Sequence, residues 1–443
     1  YCLVILIQAH FGIFSQFYDK TIKGSIPELK AIVFISKDKI NEKKNYIEKE
    51  IFRDYILCFF MSLIVSVLFL VLLVVPFIFS FFQTENSTSS KNENREKAPF
   101  PVFDWKHLDR FPQQFNDFYD DHFSLRPAGI KFYNQFNYFF LKQSPDASKG
   151  ILGKDNWMFQ GKDLDHYRGL VRLTAEQQTK LKNELQQRAN FLHERNCKFL
   201  LVIIPTKKEI YTEFVPPEFF KYSEFNATDQ IIQLAKEVNY LDVIDLKPLL
   251  IKSKSIYPEV YHRYDHHWND YGAYVAYDTI ISYIQQQTKT TKKHLINEFT
   301  EEIKESNDGS VAKMLGVDDK VSFYRYYLTP KFKLKTTLLG EKYKCPERFP
   351  YPWAWERRYQ NEDQSLPKLF MVNDSFGEYM YPNLAEHFSN SLFLFDNWEY
   401  NLHSQKVIEE QPDFFVISAY ESFIPNILEN LQREENNVNI PKH

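Results

Sequence analysis

Between Tyr55 and Thr84 the chain carries no charged side chain, reading YILCFFMSLIVSVLFLVLLVVPFIFSFFQT. A bilayer-spanning helix needs about 20 apolar residues, and a surface helix this long would show a polar stripe. A transmembrane helix over 55–82 is therefore expected. A secretory signal has a shorter apolar region and a small-residue cleavage site, neither of which fits. Pro76 is tolerable near the end of such a span. Lys37, Lys39, Lys43, Lys44, Lys49 and Arg53 precede it, against Lys91, Arg95 and Lys97 after it. The excess of positive charge places residues 1–54 in the cytoplasm and everything after the span outside it. A second apolar stretch, 3–17, is either the stump of an earlier span or an interfacial helix, so the expectation is a one- or two-pass protein. The sequence starts at Tyr1, as an incomplete N-terminal segment would.

Charge and composition exclude several classes. Lys+Arg number 54 and Asp+Glu 58, a net charge of −4. A nucleic-acid binder would show a basic excess, so no nucleic-acid partner is expected. Glycine is scarce, at 12 of 443 residues, and neither GxxxxGK[ST] nor GxGxxG occurs, which argues against a phosphate-cradling loop. The cysteines, Cys2, Cys58, Cys197 and Cys345, lack the spacing of a zinc site or a disulfide framework. Only Cys197 and Cys345 are placed to pair outside a membrane segment.

Residues 83–100 are polar and Ser/Asn/Glu-rich, the composition of a tether. Residues 101–165 read as a helical and hairpin lead-in, with a turn at Lys154-Asp155-Asn156. From 166 to 443 buried-strand runs alternate with helical segments: KFLLVIIP (198–205), YLDVIDL (240–246), KLFMVN (368–373), SLFLFD (391–396) and DFFVIS (413–418). Helices are expected over 174–196, 227–239 and 269–287, the last capped by Asn269. This alternation predicts an α/β fold in three layers, with a mostly parallel sheet covered on both faces.

Open parallel sheets bind ligands beyond the carboxyl ends of their strands. Strand 368–373 runs into Asp374-Ser375-Phe376-Gly377. Ser375 there has its hydroxyl near an expected helix N-terminus, where backbone N–H groups stabilise an oxyanion; a serine in that place serves equally as a helix cap. A second constellation is Tyr264-Asp265-His266-His267-Trp268. In an extended segment Asp265 and His267 project to the same side, and a carboxylate beside an imidazole fixes its tautomer. The competing readings are surface histidines, a capping aspartate, or a metal site. The metal reading is weakest, since adjacent histidines on opposite sides of a strand share a cation poorly and no third ligand is evident. No metal is expected.

YDHHWND, followed by a Tyr/Ala-rich helix, resembles the D-x-H-W signature of the alginate O-acetyltransferase family, the AlgJ/AlgX-like and DHHW proteins with an SGNH-hydrolase-like fold. VNDSFGEY is similar to the family's serine turn. DDHFSLRP (120–127), ILGKDNWMF (151–159), IIPTKKEIYTEFVPP (203–217), VAKMLG (311–316) and PDFFVISAYES (412–422) follow the family's order. The resemblance spans residues 100–425. It implies Ser375 as nucleophile, His267 as general base and Asp265 as the residue orienting it. His266 and Trp268 are expected to shape the pocket. Asn373 departs from the glycine usual two positions before the serine, and asparagine tolerates a positive φ better than most non-glycine residues.

Oxyanion donors are expected from the Ser375 backbone N–H and from the segment RFPYPWAWERRY (348–359). That segment offers Arg348, Trp353, Trp355, Arg357, Arg358 and Tyr359, aromatic faces beside arginines that suit an acidic sugar polymer or simply pack on one another. The resemblance implies a membrane-anchored, extracytoplasmic O-acetyltransferase acting on an exported polysaccharide. It binds no cofactor itself. Its acetyl groups come indirectly from acetyl-CoA through a multi-span membrane-bound O-acyltransferase partner. The rival readings are a glycan acetyl esterase with the same triad and a non-catalytic polysaccharide-binding assembly subunit.

Overall fold

The computed structural model describes residues 52–54, 56–71, 74–75, 98–103, 105, 108–122, 126–347 and 349–427. The expected cytoplasmic segment up to residue 51, the end of the expected span beyond Val75 and most of the tether lie outside them. The described part of the apolar run forms one helix, Phe52–Val71, long and apolar enough to cross a membrane. The chain divides into two compact units, 1–127 and 128–443. The first holds, besides that helix, α1 (Phe111–His122). Phe111, Phe115 and Tyr119 recur at four-residue spacing on it and stack along one side.

The second unit opens with the greater part of α2 (Arg126–Phe136) and the hairpin β1 (Gly150–Leu152) and β2 (Met158–Gln160). There follow α3 (Ala175–His193), β3 (Lys198–Ile204), α4 (Ala227–Lys236), β4 (Leu241–Asp245) and α5 (Asp270–Gln287). The hairpin β5 (Phe299–Ser306) and β6 (Phe323–Pro330) precedes β7 (Thr336–Leu339), β8 (Glu356–Asn361), β9 (Lys368–Asn373), β10 (Asn390–Phe395) and β11 (Phe414–Tyr420). The main sheet has the order β4-β3-β11-β9-β10-β8-β7. Its first five strands are parallel, and β8 and β7 add an antiparallel edge.

Alternation along the buried strands makes the three layers. Leu200, Val202 and Ile204 of β3 face one core with Leu369 and Met371 of β9 and the Ala276, Ile280 and Ile284 stripe of α5. Phe199, Leu201 and Ile203 face the other, with Phe370, Val372 and the inner faces of α3 and α4. The helices begin where their caps dictate. Thr174 and Asn226 each make a reciprocal capping box, and Asn269 Oδ1 accepts the N–H groups of Tyr271 and Gly272.

The hairpin packs against elements that follow residue 165. Trp157 of the hairpin stacks on Tyr211 at 4.1 Å, and Ile151, Trp157 and Phe159 belong to the same core as β3 and α5. Cys197 and Cys345 are both free thiols.

Candidate active site

The site forms where two loops meet beyond the carboxyl ends of β3 and β9. Asn373, the last residue of β9, pairs with Phe395 of β10 and Ser418 of β11. The chain then turns sharply through Asp374 and Ser375. The helix expected after the serine is only a single 3₁₀ turn, Gly377–Tyr379, followed by the five-residue Tyr381–Ala385. A long helix dipole is therefore not what faces Ser375. The turn is instead held by Asp374, whose buried carboxylate accepts N–H bonds from Phe376 at 3.0 Å and Tyr420 at 2.7 Å and the Tyr400 hydroxyl at 2.9 Å. Burial outweighs these donors and pushes its carboxyl up to about 6.

Asn373 adopts no positive φ. The conformational reason for an asparagine there is thus not the one expected. Its amide lies against Gly377, where a Cβ would come within 2.5 Å of Asn373 Nδ2. That nitrogen donates to the Asp374 carbonyl and the Tyr381 hydroxyl. The bulk gained at 373 is accommodated by the side chain missing at 377.

The histidine loop is not extended. Tyr261 and Trp268 form an isolated antiparallel bridge, and the His262 N–H bonds to the His267 carbonyl at 3.1 Å. Asp265 sits at the tip, where its Oδ1 accepts the His267 N–H at 2.9 Å, an Asx turn. The same oxygen accepts His267 Nδ1 at 2.7 Å. His267 Nε2 lies 2.7 Å from Ser375 Oγ. Asp265 Oδ2 accepts the Ser310 N–H at 2.9 Å. Burial opposes ionisation of Asp265, yet the His267 hydrogen bond and charge hold its carboxyl well below the ordinary value.

His266 turns away from the serine, its Nδ1 2.7 Å from Ser310 Oγ. Burial, with the neighbouring His267 charge, lowers it to about 3. Donor atoms of Asp265, His266 and His267 lie within 4.8 Å of one another, closer than strand geometry allows, because the loop is bent. The His267 and Asp265 donors are already spent on Ser375 and on each other, and His266 Nδ1 on Ser310. Trp268 ties the two loops together, its indole N–H donating to the Phe376 carbonyl at 3.1 Å. The Phe376 ring packs 4.8 Å from the His267 ring.

The aromatic–arginine segment does not form one platform. Arg348 lies outside the described residues. Trp355 is 4% exposed and belongs to the core on the α3/α4 side, with its indole N–H on the Tyr343 carbonyl. Arg358 is engaged by Glu410 through both terminal nitrogens. Tyr359 points to the opposite face of β8 and packs on Phe393, and Arg357 shares its alternation on that face. Trp353 is exposed. None of these has a hydrogen bond or ring contact with Asp265, His267 or Ser375 among the described residues.

Sequence reasoning missed the two lysines that follow β3. Lys207 and Lys208 are both buried. Lys208 pairs with Asp163 and donates to the Gln160 carbonyl at 2.6 Å. Lys207 reaches the histidine loop. Their position directly beyond the carboxyl end of a buried strand was the available signal.

A parallel α/β sheet carrying a hydrogen-bonded Ser–His–Asp chain at its carboxyl end defines an SGNH-hydrolase-like domain. Residues 151–339, less than half of the chain, match the family model described as the SGNH hydrolase-like domain of acetyltransferase AlgX. A curated relative, the probable alginate O-acetylase AlgJ of Pseudomonas putida, is 22% identical over 170 residues, 38% of this chain and 42% of that protein's length. The match thus spans less than half of that relative. Similar solved structures include PatB1 of Bacillus cereus with a sulfonyl adduct, at 18% identity and TM-score 0.46 over 62% of this chain and 96% of that one. A DHHW family protein from Eubacterium siraeum gives 15% and 0.44 over 64% and 98%. The O-acetyltransferase domain of Pseudomonas putida AlgJ gives 17% and 0.41 over 62% and 92%.

Proposed function

We propose that this chain is a membrane-anchored, extracytoplasmic O-acetyltransferase that acetylates hydroxyls of an exported polysaccharide through Ser375, His267 and Asp265. The observation that carries the reading is the unbroken run of two 2.7 Å hydrogen bonds from Asp265 to His267 to Ser375. Relationship to acetyltransferases gives the reaction class.

Asp265 accepts the Nδ1 proton of His267, which leaves Nε2 free to act as base. His267 Nε2 takes the Ser375 hydroxyl proton as Oγ attacks the acetyl carbonyl. The Ser375 backbone N–H is the proposed donor to the developing oxyanion. The leaving group departs with the proton from His267 and leaves acetyl-Ser375. A sugar hydroxyl then gives its proton to His267 and attacks the ester. Ser375 recovers the proton as the acetylated sugar leaves. No cofactor enters these steps. A multi-span acyltransferase partner supplies acetyl groups drawn from acetyl-CoA on the other side of the membrane.

The test is acetyl release from a chromogenic ester together with acetylation of polysaccharide in cells. Ser375→Ala and His267→Ala should each abolish both, and Asp265→Asn should reduce both strongly. The double change Ser375→Ala/His267→Ala should be hardly worse than either alone, because the residues act as a unit. Polymer acetylation retained by a normally expressed Ser375→Ala protein would leave a non-catalytic assembly role as the better reading.

A further inference from the structure

We infer that Lys207 is a positioning residue that holds the Asp265–His267 loop in its reactive shape; the inference rests on the catalytic reading above. Lys207 stands at the start of the short helix Lys207–Ile210, directly beyond β3. Its side chain does not reach solvent, being 3% exposed. The ammonium donates to three carbonyls of one loop, those of His262 and Arg263 at 3.0 Å each and that of Asp265 at 2.6 Å. An ammonium has three protons, and each is assigned to a backbone oxygen of the segment that carries the base.

The geometry explains why the loop bends where it does. Three carbonyls converging on one point bring residues 262–265 into a tight arc. The arc leaves the Asp265 side chain on the inside, facing His267. Neighbouring bonds hang the same loop from the segment after β3. The Tyr261 hydroxyl donates to the Pro205 carbonyl at 2.6 Å, and the Val260 N–H donates to the Tyr211 hydroxyl at 2.9 Å. Those two fix where the loop begins; at its tip Ser310 and Val311 hold the Asp265 side chain and the Tyr264 carbonyl from one side, and Lys207 holds the His262 and Asp265 carbonyls from the other.

The surroundings fit a held cation. The rings of Trp157 and Phe159 lie 5.5 and 5.3 Å from the ammonium. Asp265 and Glu259 favour its charge, whereas burial, Lys208 and Arg263 oppose it, and the balance brings Lys207 down to about 7. A lysine serving only to fill space would be replaceable by an apolar residue of the same length. Here such a residue leaves the His262 and Asp265 carbonyls without donors, on the very segment that aims the imidazole; the Arg263 carbonyl keeps the Met158 N–H at 3.1 Å.

The experiment compares Lys207→Met, Lys207→Arg and Lys208→Met in the full chain. The rate of Ser375 modification by phenylmethylsulfonyl fluoride reads nucleophile activation without any need to know the polymer. Circular dichroism and urea titration report the folded fraction, and rates are taken per folded molecule. Lys207→Met should slow sulfonylation on the order of 100-fold, the scale of loss for a displaced catalytic group. It should also lower kcat on a chromogenic acetyl ester with KM changed less than about twofold. Lys207→Arg, which keeps donors in place, should recover part of the rate. Lys208→Met, equally buried but bonded to Gln160 and Asp163, should lower stability and keep most of the rate. Combining Lys207→Met with Asp265→Asn should cost much less than the product of the single losses, since both act through His267. Wild-type rates in folded Lys207→Met, or a Lys208→Met loss equal to that of Lys207→Met, would overturn the inference and leave the catalytic reading standing. A wild-type protein whose Ser375 does not react would overturn both.

Discussion

Asp374 precedes the serine by one residue, yet it holds the turn more than Ser375 does. Its two oxygens collect bonds from β11, from Tyr400 and from the turn itself. Burial raises its folded value from 3.8 to about 6. The folded state therefore binds more protons than the unfolded one between those values. The stabilisation from this proton is complete below about pH 4 and is lost as the pH rises through about 6. Relative to Asp374→Asn, the wild type should lose roughly 3 kcal/mol of stability between pH 4 and pH 7. Urea denaturation of both proteins across that range measures it, and a difference independent of pH would show that Asp374 is not the titrating group. The pairing of Asp265 with His267 was legible because residues two apart in a short polar cluster point to a shared task. The reason was different from the one expected, since an Asx turn rather than strand alternation brings them together. Lys207 was harder to read, because two consecutive lysines ordinarily mark a solvated surface and only their place directly beyond a buried strand argues otherwise.

At the level of elements, the turn after β9 depends on a complementary pair. A Cβ at Gly377 would meet the Asn373 amide at 2.5 Å and its Cβ at 2.9 Å. Gly377→Ala should cost about 1–3 kcal/mol by overpacking and reduce ester turnover, while Asn373→Gly in the same chain should restore both. Thermal unfolding and acetyl-ester kinetics of the two singles and the double test this, and additive losses would refute the pairing. The buried strands β3, β9, β10 and β11 were readable as uninterrupted apolar runs bounded by turns. The hairpin β5–β6 was not. FTEEIKES and FYRYYLTP form a two-stranded ladder apart from the main sheet, β5 largely open to solvent and β6 half-buried with Tyr326 and Leu328 against the core, so β5 carries charge where a core strand would not. β8, ERRYQN, has no apolar run to mark it as a strand, because it pairs near the sheet edge and spends its charges on Glu410 and its own backbone.

For the molecule as a whole, orientation decides whether the proposed chemistry meets its polymer. A reporter fused after residue 100 should be active only outside the cytoplasm, and cytoplasmic activity at that junction would reverse the topology. The order of strands carries a separate consequence. β11 is the last strand among the described residues, yet it lies between β3 and β9 and bonds to both. A chain ending at Gln411 lacks the strand that joins β4–β3 to β9–β10. It should show neither cooperative unfolding nor ester turnover, and calorimetry with the chromogenic assay tests this. The base and nucleophile are 108 residues apart, and the pieces that carry them meet only when the final segment wedges into the centre. Such long-range closure is slow and comes late in folding. A copy made only as far as Gln411 therefore holds both reacting side chains and remains inert, so that β11 acts as the ignition key of the site.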